Sequence, residues 1–109
     1  MTFEEYQKLS RKTAIYPKIG KKFIYPLLGL AGETGKVFEK FKKLFRDQKG
    51  KLNKDFLEMI KLELGDILWY LANLCSDLGI SFEEVAKKNL EKVFDRKNRK
   101  KLKGSGDLR

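Results

Sequence analysis

No histidine occurs anywhere in the 109 residues. Its absence excludes Ser-His-Asp and Cys-His nucleophile pairs, HExxH zinc sites and imidazole acid–base catalysis. Cysteine is nearly as scarce: Cys75 stands alone in an apolar run, so the chain can form neither an intrachain disulfide nor a thiolate zinc cluster, which suits a reducing compartment. With nothing nearby to stabilise a thiolate, Cys75 reads as a packing residue. Long hydrophobic runs are missing too. The longest, 67–75, is broken by Asn73 and falls far short of the roughly 20 residues that cross a bilayer. The opening MTFEEYQKLS lacks the apolar segment of a signal peptide. A soluble, cytoplasmic protein without membrane association is expected.

Acidic residues are outnumbered, 15 against 25 Lys and Arg, for a formal net charge of +10. That excess favours polyanionic partners: nucleic acid, an anionic membrane or a phosphorylated small molecule. The length suits one modest core. Residues 1–109 are therefore read as a single domain, with an N-terminal helix and loop at 1–25, a helical core at 26–100 and a basic Gly-Ser tail at 101–109.

Thr2 and Glu5 fit a capping box for a first helix ending near Thr13. AIYPKIGKKFIY, at 14–25, reads as an ordered loop or a broken helix. Pro26 then opens a second helix, with Leu27, Leu30, Ala31, Val37, Phe38, Phe41 and Phe45 on its apolar side. RDQKGKLNKD, at 46–55, is a polar turn. The third helix runs from about Asp55 to Leu78 and stops at Gly79. Ser81 and Glu84 box the start of a fourth at Phe82, whose core side is Phe82, Ala86, Leu90 and Val93. The expected fold is an all-α four-helix bundle. From 67 to 75 the third helix is apolar on nearly every side, more than three partner helices of one small chain can cover, so a homodimer or homotetramer is expected.

Against that apolar background, KLELGDILWYLANL places Glu63 and Asp66 three residues apart on one side of a helix. An unpaired buried carboxylate is costly, so the pair is either a solvated face salted by Lys61 or a holder of a hard cation such as magnesium. Glu33, in GLAGETGKVFEK, can face the pair if the second and third helices pack antiparallel. Three converging acids repel one another unless a cation sits among them. The surrounding Gly29, Gly32 and Gly35 recur every third residue and leave a stripe where a backbone or a ligand can come close. On the fourth helix Val85, Asn89, Lys92 and Arg96 fall in a strip about 60° wide that can reach phosphate oxygens. GETGKV is no phosphate loop: its glycine spacing is wrong, Val37 follows Lys36, and the flanks are helical.

These pieces resemble the MazG-like all-α nucleoside triphosphate pyrophosphohydrolases. The likeness covers 27–109 through LLGLAGETGKVFEKFKK, ELGDILWYLANL, LGISFEEVAKKNLEKV and GSGDLR. It implies Mg2+, or Mn2+, held by ExxE and ExxD motifs, and cleavage of nucleoside triphosphates between the α and β phosphates. Glu33 matches the first acid of ExxE; Glu63 and Asp66 match ExxD. Lys92 and Arg96 match positions that contact the triphosphate, with Asn89 beside them. Lys36 departs from the pattern, standing where the second ExxE glutamate is expected, beside the substrate. Glu39, one turn on, is then a candidate replacement ligand. Leu108 replaces a common Asn in the tail. The expected function is a magnesium-dependent pyrophosphohydrolase acting on a nucleoside triphosphate. The alternatives are a family member that binds nucleotide with weakened turnover because of Lys36, and, behind both, a basic helical nucleic-acid binder.

Overall fold

The computed structural model describes residues 1–100 and 102–107, and among them four helices and no strand: α1 (Phe3–Arg11), α2 (Ile24–Gln48), α3 (Lys54–Leu78) and α4 (Phe82–Asn98). Local signals set most of the ends. Glu5 N–H donates to Thr2 Oγ1 at 3.0 Å, Phe56 N–H to Asn53 Oδ1 at 2.8 Å, and Glu84 N–H to Ser81 Oγ at 3.1 Å. Each bond satisfies an amide that a helix start leaves unpaired. α3 stops at Gly79, whose φ of 72° a side chain would resist. α2 begins two residues ahead of Pro26, so the proline lies within the first turn, where its missing N–H breaks no helical bond.

The turn at 49–53 folds α3 back along α2 as a long hairpin. Next to the turn, Leu44, Phe56 and Ile60 are buried with Phe41 and Met59 against them. At the far end the helices close on Gly29. A Cβ there would lie 2.2 Å from the Tyr70 ring, whereas Gly32 and Gly35 border open space. Of the three stripe glycines, then, only Gly29 serves close packing within one chain.

α1 crosses the other end of α3 and receives the start of α4. Ala72, Cys75 and Phe82 are buried there, with Tyr6, Leu68 and Leu71 packed on them. Burial pushes the Cys75 thiol pKa up, as its packing role requires. Gln7 fixes the corner: its amide donates to Ser76 Oγ and the Ile80 carbonyl, and its Oε1 accepts Phe82 N–H at 2.9 Å. The loop after α1 is tied down as well. Asp77, whose side chain is 2% exposed, takes Arg11 at 2.6 Å and the Tyr16 hydroxyl at 2.6 Å. Trp69 is half-buried and donates its indole N–H to Thr13 Oγ1 at 2.9 Å.

α4 packs on α1 and on α3 but makes no contact with α2, so the expected bundle stays open within one chain. The Cα radius of gyration is 16.9 Å, against about 13 Å for a compact chain of this length. Several residues expected in the core lie on the open faces: Leu27, Phe38 and Phe45 of α2 and Leu90 of α4, with Phe38 70% exposed. Helical periodicity marks an apolar face without saying what covers it. Lys101, Leu108 and Arg109, and with them the Leu108 departure in the tail, lie outside the described residues.

The two kinds of glycine site predict opposite responses to alanine. Helix propensity alone favours Ala by up to about 1 kcal/mol. Gly32→Ala should therefore raise the urea midpoint, while Gly29→Ala should lower stability by about 1–3 kcal/mol through the clash with Tyr70. Equal effects at both positions would contradict the hairpin packing.

Candidate functional site

Antiparallel pairing of α2 and α3 decides which acids meet. Phe41 packs on Phe56 near the turn, with ring centroids 5.1 Å apart, and Gly29 packs on Tyr70 at the far end. Glu33 lies between these anchors and falls opposite Glu63 and Asp66. Each of the three acids offers an oxygen within 4.8 Å of the others. Lys61 plays no part in the cluster, because its ammonium pairs with Glu58 at 2.8 Å. The expected pairing of the ExxD acids with Lys61 is thereby removed.

Burial makes the cluster electrostatically costly. The Glu33 and Glu63 side chains are 19% and 15% exposed. Glu33 Oε2 and Glu63 Oε2 are shut off from solvent without a hydrogen-bond partner. Asp66 is the more open member, yet its pKa is raised, first by loss of water and then by the charges of Glu33 and Glu63, with Lys36 opposing. Lys36 Nζ stands 3.3 Å from Glu33 Oε2 and 3.6 Å from Glu63 Oε2, near enough to pair ionically without the geometry of a hydrogen bond. Contact with Glu33, and then the charges of Glu33 and Glu63, raise the Lys36 pKa. The donor set is all carboxylate oxygen, the set that suits Mg2+ or Mn2+. Two buried oxygens without a hydrogen are what such an ion would satisfy.

Glu39 is not in this cluster. Six residues after Glu33 it lies about 120° around α2. There its carboxylate takes Lys42 at 2.7 Å, which lowers its pKa. As a replacement ligand it is therefore corrected: helical phase turns it away from the other acids.

The strip on α4 is present but is not brought to the acids. Asn89 is exposed. Lys92 Nζ meets Asp107 Oδ1 at 3.1 Å. Arg96, 5% exposed, donates to Asp107 Oδ1 at 3.2 Å, to the Asp107 carbonyl at 2.9 Å and to the Gly106 carbonyl at 3.4 Å. Hydrogen bonds from Lys92 and Arg96, and then the charges of these two cations, lower the Asp107 pKa. A carboxylate thus sits where the strip was expected to meet phosphate.

An aromatic wall beside the acids was not foreseen as a unit. Tyr25 stacks on Tyr16 with centroids 5.1 Å apart, Tyr16 meets the edge of Trp69, and Trp69 meets Tyr70 at 5.0 Å. The Tyr70 pKa is raised by burial, then by Tyr25, Glu33 and Asp66, which brings the acids' field onto the wall. The sequence signal was Tyr70 itself, one helical turn beyond Asp66, opposite a glycine.

The sequence is also similar to known proteins. Residues 25–100 match the MazG nucleotide pyrophosphohydrolase domain family. The chain is also 37% identical over 114 residues to the Gene 37 protein of Mycobacterium phage L5, covering all of both chains. No solved structure matches.

The Asp66 shift predicts a pH dependence for the metal-free protein. Because the folded-state pKa lies above the ordinary 3.8, the unfolded chain ionises first as pH rises. Stability should fall from just above that value until the folded group has also ionised. Asp66→Asn should flatten this part of the Tm-against-pH curve. A curve unchanged by the substitution would place Asp66 outside the cluster's field.

Proposed function

The chain belongs to the MazG nucleotide pyrophosphohydrolase family, and on that premise we propose that it hydrolyses a nucleoside triphosphate between the α and β phosphates, with Mg2+ or Mn2+, to a monophosphate and pyrophosphate. One observation carries the reading: three acids from two helices meet in an apolar hairpin, and their two buried oxygens have only the single ammonium of Lys36 to offset their charge. Neither a structural role nor nucleic-acid binding explains an arrangement that repels itself.

Glu33, Glu63 and Asp66 would hold the ion. Once bound, it supplies Lewis-acid neutralisation of the phosphate oxygens. The remaining work belongs to the chain. Glu33, partly buried beside the cluster, takes the proton of the attacking water as general base. The half-exposed ammonium of Lys36 faces solvent at the mouth of the cluster and draws the polyphosphate toward it. The wall of Tyr16, Tyr25, Trp69 and Tyr70 shields one side from bulk water.

Lys92 and Arg96 contribute as phosphate contacts on α4, with Asn89 beside them. Because α4 does not touch α2 in a single chain, a homodimer or homotetramer is the arrangement that completes the site. Exposed Leu27, Phe38, Phe45, Leu90 and Phe94 supply apolar surface for that assembly. No helix among the described residues is long and apolar enough to cross a membrane, and the cytoplasm, where nucleotides are abundant, is the compartment that suits this activity.

A second reading has its own support. Lys36 pairs with two of the three acids, which favours a family member that binds nucleotide but turns it over weakly.

The test is pyrophosphate release across a panel of ribo- and deoxyribonucleoside triphosphates, titrated with Mg2+. The proposal expects metal-dependent release, and Asp66→Ala should lower kcat/KM by about 100-fold or more, the scale of losing a charge-stabilising group. An active parent matched by Asp66→Ala would remove the acids from the mechanism. Binding of nucleotide without release would favour the second reading.

A further inference from the structure

We infer that Lys36 is a tethered cation that takes the place of one metal ion, so that the acidic site of each chain binds a single divalent ion. The inference rests on the proposed metal site. It concerns how many ions that site takes.

The first support is charge. Three ionised carboxylates carry a charge of −3, and Lys36 brings the cluster to −2, the charge that one divalent ion neutralises. A glutamate at position 36 would bring the same cluster to −4, which calls for two ions. Lys36 therefore changes the local charge by two units, equal to one divalent ion.

The second support is position. Lys36 follows Glu33 by three residues, so it emerges on the same side of α2. Its Nζ lies within 4.0 Å of carboxylates on both helices, 3.3 Å from Glu33 and 3.6 Å from Glu63. The oxygens it approaches are Glu33 Oε2 and Glu63 Oε2, the two that have no hydrogen-bond partner. At these distances the ammonium compensates their charge from one side, most closely at Glu33. The side chain is 54% exposed, so it enters from the solvent side and occupies the mouth of the cluster. A second ion at that mouth would have to displace the ammonium or sit beside it against its repulsion.

Mn2+ binding without nucleotide, counted from the loss of the free-ion signal in electron paramagnetic resonance, tests the inference. The full-length parent should bind one ion per chain and Lys36→Glu two. Lys36→Gln, which removes the charge and adds at most one neutral amide oxygen, should still bind one ion, about tenfold or more tightly, because a repelling charge has gone. Circular dichroism checks that each variant is folded, and Lys36→Gln carries the test if Lys36→Glu is not. Two ions in the parent would overturn the inference while leaving the metal site standing. One ion in a folded Lys36→Glu, or Mn2+ affinity unchanged in Lys36→Gln, would also overturn it. No binding in any of the three would overturn the metal site itself and this inference with it.

Discussion

Mutual repulsion among Glu33, Glu63 and Asp66 is the constraint on which the rest of the structure turns. Like charges held within 4.8 Å of one another, two of them largely out of water, separate unless the scaffold is stiff or a cation lies among them. The hairpin supplies the stiffness. Leu44, Phe56 and Ile60 lock it near the turn. Gly29 lets the other end close on Tyr70, so the acids between the two anchors have little freedom to part. Lys36 supplies part of the charge. What remains is a net negative cluster of hard oxygen donors.

The other elements arrange access to that pocket. α1 and the loop behind it are pinned to α3 through Arg11, Tyr16 and Asp77, and this ordered loop carries Tyr16 onto Tyr25 of α2 in the aromatic wall. α4 leaves the corner fixed by Gln7 and diverges from α2, taking its cations with it. Asp107 then satisfies Lys92 and Arg96 locally, so that nearly buried Arg96 is not left without an anion. A buried guanidinium needs such a partner. Within one chain the α4 cations and the acidic cluster are separate, and apolar surface is left open on α2 and α4.

Much of this was legible in the sequence because it depends on short-range chemistry. The capping residues Thr2 and Ser81 and the terminating Gly79 act within a turn of helix and stand where expected. Glu63 and Asp66 were distinguishable because charge inside an apolar run is expensive, and Glu33 followed from antiparallel pairing. Other features depend on what lies across space. Phe38 and Phe45 have the spacing of core residues, yet both are largely exposed among the described residues. Glu39 was placed by proximity along the chain, although helical phase turns it toward Lys42. The partnership of Arg96 with Asp107 joins residues whose attraction no periodicity encodes, and the aromatic wall draws on three separate segments.

The central claim is that acids from α2 and α3 jointly bind a divalent ion. Anomalous diffraction at the manganese edge, from crystals grown with Mn2+, tests it most directly. The account predicts a peak in contact with carboxylate oxygens of Glu33, Glu63 and Asp66 together. A peak held by acids elsewhere, or the three side chains splayed apart with no peak between them, would contradict it.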